Sequence, residues 1–113
     1  MIEYSRELVI SKIEKDFNKK YRELAKSGLE LYGTENHEIE RERVQMAILK
    51  LANGNIDELS RLVKIAKKDY RDVIALAEYP EEMKLNNVKE IDEKELESIR
   101  KRDRRQYLDW LKS

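Results

Sequence analysis

Apolar side chains recur at steps of three and four along most of this chain, and only three Gly and one Pro interrupt them in 113 residues. That spacing lays one apolar stripe along an α-helix, whereas a half-buried strand alternates every second residue. The stripes predict an all-α fold: a compact helical bundle of four to five helices in a single domain. With 40% of residues hydrophobic and 42% charged, the chain has enough apolar surface for one small core under a solvated exterior.

The first stripe, Ile10, Ile13, Phe17, Tyr21, Leu24, Gly28 and Leu31, predicts one long helix over residues 3–32, about 45 Å in extent. Gly28 lies on it, marking either a close approach by another backbone or a break near the helix end. Thr34 or Asn36 is the expected cap of a second helix, with Ile39, Val44, Ala47, Ile48 and Leu51 inward and a stop at Asn53-Gly54. Asn55, three residues before Glu58, opens a third helix with Leu59, Leu62, Val63 and Ala66 inside. Asp69 with Asp72 starts a fourth near Tyr70, and Tyr79-Pro80 ends or resets it. These make a three-helix unit over residues 36–80. A polar connector over 81–91 follows, with a short turn at 82–85. Asp92 with Glu95 then opens a C-terminal helix over 92–112. Seven polar residues separate Ile99 from Tyr107, so this helix is expected either to project or to pack only at its two ends.

Several function classes are disfavoured at this level. Without cysteine there is no disulfide framework, no thiolate zinc site and no thiol chemistry. Lys and Arg number 24 against 24 Asp and Glu, so any electrostatic recognition must be local. No apolar run approaches the length of a signal peptide or a membrane span, which favours a cytoplasmic protein without a membrane partner. His37 is the only histidine and lacks a second one four residues on, so it reads as exposed and chemically silent. Glu38, Glu40 and Glu42 alternate, which scatters them around a helix as a solvated face. No catalytic residue, metal site or cofactor is expected, and the chain does not read as an enzyme. A helix-turn-helix over residues 56–78 would present Asp69 and Asp72 to DNA, which repels phosphate.

Two groups remain as candidates for recognition. Arg100, Lys101, Arg102, Arg104 and Arg105 place five cations in six residues, followed by Tyr107 and Trp110, and cations beside aromatics suit polyanion contact. A solvated helix explains the same residues, since Glu97 precedes Lys101 by four. Tyr70, Arg71, Tyr79 and Trp110 are the partner-binding candidates, because Tyr, Arg and Trp are favoured in binding hot spots. Their structural alternatives are a lock between the third and fourth helices and, for Trp110, docking onto the body of the domain.

The stretch Arg41-Glu42-Arg43-Val44, Leu51-Ala52-Asn53-Gly54, Asp69-Tyr70-Arg71-Asp72 and Ala77-Glu78-Tyr79-Pro80 resembles a group of small uncharacterised bacterial proteins sharing Arg-x-Arg-Val, Leu-Ala-x-Gly, Asp-aromatic-Arg-Asp and Ala-Glu-Tyr-Pro. The resemblance covers residues 41–80 and implies a bacterial cytosolic setting with no assigned activity. The expected function is a non-catalytic helical protein-interaction or regulatory module, with a protein partner or self-association as a homodimer. The alternative is nucleic-acid or other polyanion binding through the basic C-terminal helix.

Overall fold

Ser5 accepts a hydrogen bond from the Leu8 amide at 3.1 Å and so starts the first helix, α1 (Arg6–Asp16). The computed structural model, which describes residues 2–87 and 90–113, departs here from the single helix expected over 3–32. Phe17 is extended and buried, and a short 3-10 turn at Lys19–Tyr21 leads into α2 (Arg22–Glu30). The Arg22 guanidinium donates to the carbonyls of Glu14 (2.8 Å) and Phe17 (3.2 Å), groups near the end of α1 that a continuing helix would have paired.

The break resets the helical phase. Val9, Lys12 and Ile13 face inward on α1, but beyond the break the buried positions are Ala25, Leu29 and Tyr32. The inner face therefore lies one residue later than the expected Leu24, Gly28 and Leu31, and Leu24 and Leu31 are 58% and 60% exposed. Gly28 itself is a point of close approach: a Cβ there would stand 2.9 Å from Leu59 Cδ2.

The second helix also starts later than expected. Neither Thr34 nor Asn36 caps it; α3 (Arg41–Ala52) begins after Glu40, whose φ of 52° is left-handed, and Ile39 lies outside it, half exposed. The reason is Glu38, which belongs to no solvated face. Its buried carboxylate accepts from the amides of Gly33 (2.9 Å) and Thr34 (3.2 Å) and from Lys67 Nζ (2.9 Å), folding residues 33–38 into a closed loop. Burial by itself would raise the Glu38 pKa, but Lys67 and the Gly33, Thr34 and Glu35 amides outweigh it and hold the group down to about 2.

From α3 onward the local signals act as read. Asn53 and Gly54 are left-handed and close α3, and Gly54 has no room for a side chain, because a Cβ would lie 2.6 Å from the Asp16 carbonyl oxygen. Asn55 accepts from the Glu58 amide at the start of α4 (Ile56–Lys68), and Asp69 accepts from the Arg71 amide at the start of α5 (Tyr70–Glu78), each at 3.0 Å. Helix α3 is central, packed by α1, α4 and α5, and Val44, Met46, Ala47, Ile48 and Leu49 are fully buried along it.

Pro80 occupies the first position of the short α6 (Pro80–Met83), where its missing N–H costs nothing. A 3-10 turn, Lys84–Asn87, follows; residues 88–89 of the expected connector lie outside the described residues. Asp92 accepts from the Lys94 amide at 3.1 Å and opens α7 (Glu93–Lys112). The described residues form seven α-helices and no strand, within 46 × 29 × 25 Å. None of these helices is long and apolar enough to cross a membrane.

Candidate functional site

Helix α7 does not project, and its polar middle is where it docks. Asp103, inside the run of seven polar residues, is buried, with its two oxygens each 3.0 Å from the amides of Glu81 and Glu82. It thus satisfies free N–H groups in the first turn of α6 from another helix. Arg100 pairs with Glu82 at 2.7 Å and Arg102 with Glu81 at 3.0 Å, flanking this contact. Gln106 donates to the Ala77 carbonyl at 3.1 Å. At the far end Lys12, 1% exposed, donates to the Trp110 carbonyl (2.5 Å) and the Ser113 hydroxyl (2.9 Å), carbonyl and hydroxyl groups at the end of α7. Burial lowers the Lys12 pKa, against the raising influence of Asp16.

Docking in this way leaves a half-open groove of about 500 Å³ between α7, the end of α5, α6 and the N-terminal segment. Arg100, Asp103, Arg104, Tyr107 and Leu108 reach it from α7 at the i, i+3, i+4, i+7, i+8 spacing of one helix face. Glu78, Tyr79 and Glu82 face them, and Ile2 closes one side. Tyr4 and Tyr107 hydroxyls stand 3.4 Å apart. Burial raises the pKa of both phenols, so they stay neutral across the physiological range. Behind the groove, Arg43 grips Glu78 through two 2.8 Å bonds and donates to the Tyr79 hydroxyl at 3.3 Å. Hydrogen bonding to Glu78 raises the Arg43 pKa, so the guanidinium stays charged and the pair is fixed.

Among the basic residues read from the sequence, Arg100 and Arg104 line this groove. Glu82, Glu97 and Glu81 hold Arg100, Lys101 and Arg102 respectively, while among the described residues no carboxylate lies within ion-pair distance of Arg104 or Arg105.

The four partner-binding candidates separate in space. Tyr79 lines the groove, whereas Tyr70 and Arg71 line a smaller cleft of about 260 Å³ beside His37. There Arg71 folds back on Asp69 through two 3.0 Å bonds. Trp110 packs on the core, with Lys12 Nζ 4.4 Å from its ring centroid and the Tyr107 ring 5.8 Å away. His37 is exposed, 3.8 Å from Glu38. Among the described residues no group of three or more His, Cys, Asp or Glu is placed to hold a metal ion.

Sequence reasoning missed Ile2, Tyr4, Arg43, Glu78, Glu82 and Asp103. The helical spacing of Arg100, Asp103, Arg104, Tyr107 and Leu108 was the available signal, hidden because polar residues in a stripe read as a gap. The chain matches no protein-family profile, no curated protein and no solved structure.

Proposed function

We propose that this chain is a non-catalytic helical interaction module of the cytoplasm, whose contact surface is the groove between α7, the end of α5 and the N-terminal segment. The observation that carries this reading is the make-up of the groove: Tyr79, Tyr107, Leu108 and Ile2 offer apolar and aromatic walls, and ion pairs form its rim. Such a mixture, with tyrosine and arginine around an apolar centre, is what interfaces use to anchor a partner's side chains. A volume of about 500 Å³ falls in the range that takes up a few side chains or a small ligand. The Arg43–Glu78 pair and the Asp103 cap fix the walls before a partner arrives, which lowers the ordering cost of binding.

The test is selection of displayed random peptides on the folded chain, followed by binding to Leu108→Lys and, as a control, to Leu24→Lys on the far helix. Enriched peptides should lose binding to Leu108→Lys and keep it to Leu24→Lys. Binding unchanged by Leu108→Lys, or no enrichment at all, would remove the groove from this role. Polyanion binding through α7 is the weaker reading, because three of its five cations already hold carboxylates. Retention on heparin at low salt with a steep salt dependence would restore it.

A further inference from the structure

The charges lining the groove do not all stand in the same state. Glu78 is held by Arg43, Glu82 is held by Arg100, and the Asp103 oxygens are taken up by the α6 amides. Arg104 is left over, with no carboxylate within ion-pair distance among the described residues. One turn along α7 from it, Tyr107 and Leu108 continue the same face, with Tyr79 opposite. A cation on the wall of a largely apolar groove, with each neighbouring carboxylate already engaged by another group, is a complement to a single negative charge on an apolar body.

We infer that the groove takes an apolar peptide segment carrying one carboxylate, which pairs with Arg104 while the neighbouring apolar side chains lie against Tyr79, Tyr107 and Leu108. This rests on the groove being an interaction surface and adds the chemistry of the partner. Arginine suits the role because its planar fork can donate two bonds to one carboxylate. The partner's apolar residues supply affinity and the ion pair supplies selection.

The experiment uses two matched pools of displayed peptides, apolar at random positions and differing only in a central Glu or Gln. Wild-type chain should retain the Glu pool about twofold to fivefold better than the Gln pool, the discrimination an exposed arginine–carboxylate pair supplies. Arg104→Gln should abolish that preference. Arg105→Gln, which removes a charge from α7 outside the groove, should leave it intact. Equal retention of both pools, each lost in Leu108→Lys, overturns the carboxylate inference while leaving the groove as an interaction surface. Retention of neither pool overturns both. A preference that survives Arg104→Gln, or that disappears equally in Arg105→Gln, assigns the selection to general charge and overturns the inference as well.

Discussion

The centre of this molecule and its two attachments are held by different physics. In α3, α4 and α5 the buried residues are almost all aliphatic, with Val44, Ala47, Ile48, Leu49, Leu59 and Val73 fully excluded from solvent. The loop before α3 and the C-terminal α7 are instead fastened by single buried polar groups: Glu38 on the Gly33 and Thr34 amides, Asp103 on the α6 amides and Lys12 on the end of α7. Hydrophobic burial is non-directional and spread over many side chains, so the centre tolerates adjustment. A polar fastener concentrates its contribution in two or three directional bonds, and its loss leaves buried partners unsatisfied. The difference teaches where local opening begins: at the attachments, one of which builds the groove.

Changes at five sites break or sharpen that contrast. Leu49→Ala should be the most damaging, costing about 3 kcal/mol through a cavity in the centre, seen as a loss in denaturant midpoint shared by every probe. Asp103→Ala should cost about 2 kcal/mol by stranding two amides. Its signature is local: amide exchange should accelerate at Glu81 and Glu82 before it does in α3, and equal acceleration in both would erase the distinction drawn here.

The Glu38 attachment is read by pH. Its pKa falls from 4.5 in the unfolded chain to about 2 in the fold, so its contribution is fully present above 4.5 and is lost as pH falls through about 2. The loss should amount to about 2 kcal/mol, measured as the change in unfolding free energy across that window. Glu38→Gln should flatten this part of the profile.

Lys12→Met keeps the aliphatic stem and removes the donors, so it should cost only about 1 kcal/mol. Trp110 emission should shift to longer wavelength as the end of α7 loosens; an unchanged spectrum would show that apolar packing alone secures that end. Arg105→Ala should be the mildest, within about 0.5 kcal/mol of wild type by thermal unfolding, as expected for an exposed side chain without a carboxylate partner among the described residues.

The two halves of the chain were also unequally legible. Asn55 with Glu58, Asp69 and the Asn53-Gly54 stop all act where they stand, because capping is settled within one turn of backbone. The first stripe misled for a particular reason: a helix broken at Phe17 and resumed at Arg22 keeps an apolar period across the break while rotating its inner face by one residue. Leu24 and Leu31 were expected inside and face out, while Ala25 and Leu29 took their place. The groove was legible only in fragments. Tyr79, Arg100 and Arg104 stood out as residue types, but nothing near Arg100 and Arg104 in sequence indicated that Ile2, Glu78 and Tyr79 would meet them.

Residue order by itself determined that the chain is helical, where α3 ends, where α4, α5 and α7 begin, and which aliphatic faces form the centre, since periodicity and end capping are local and act before any long-range encounter. Tertiary structure alone decided that Glu38, Asp103 and Lys12 would be buried. A charged side chain leaves water only when donors or acceptors from distant segments are already in place to receive it. Whether they are depends on how the helices pack, and the groove beside Arg104 follows from the same packing.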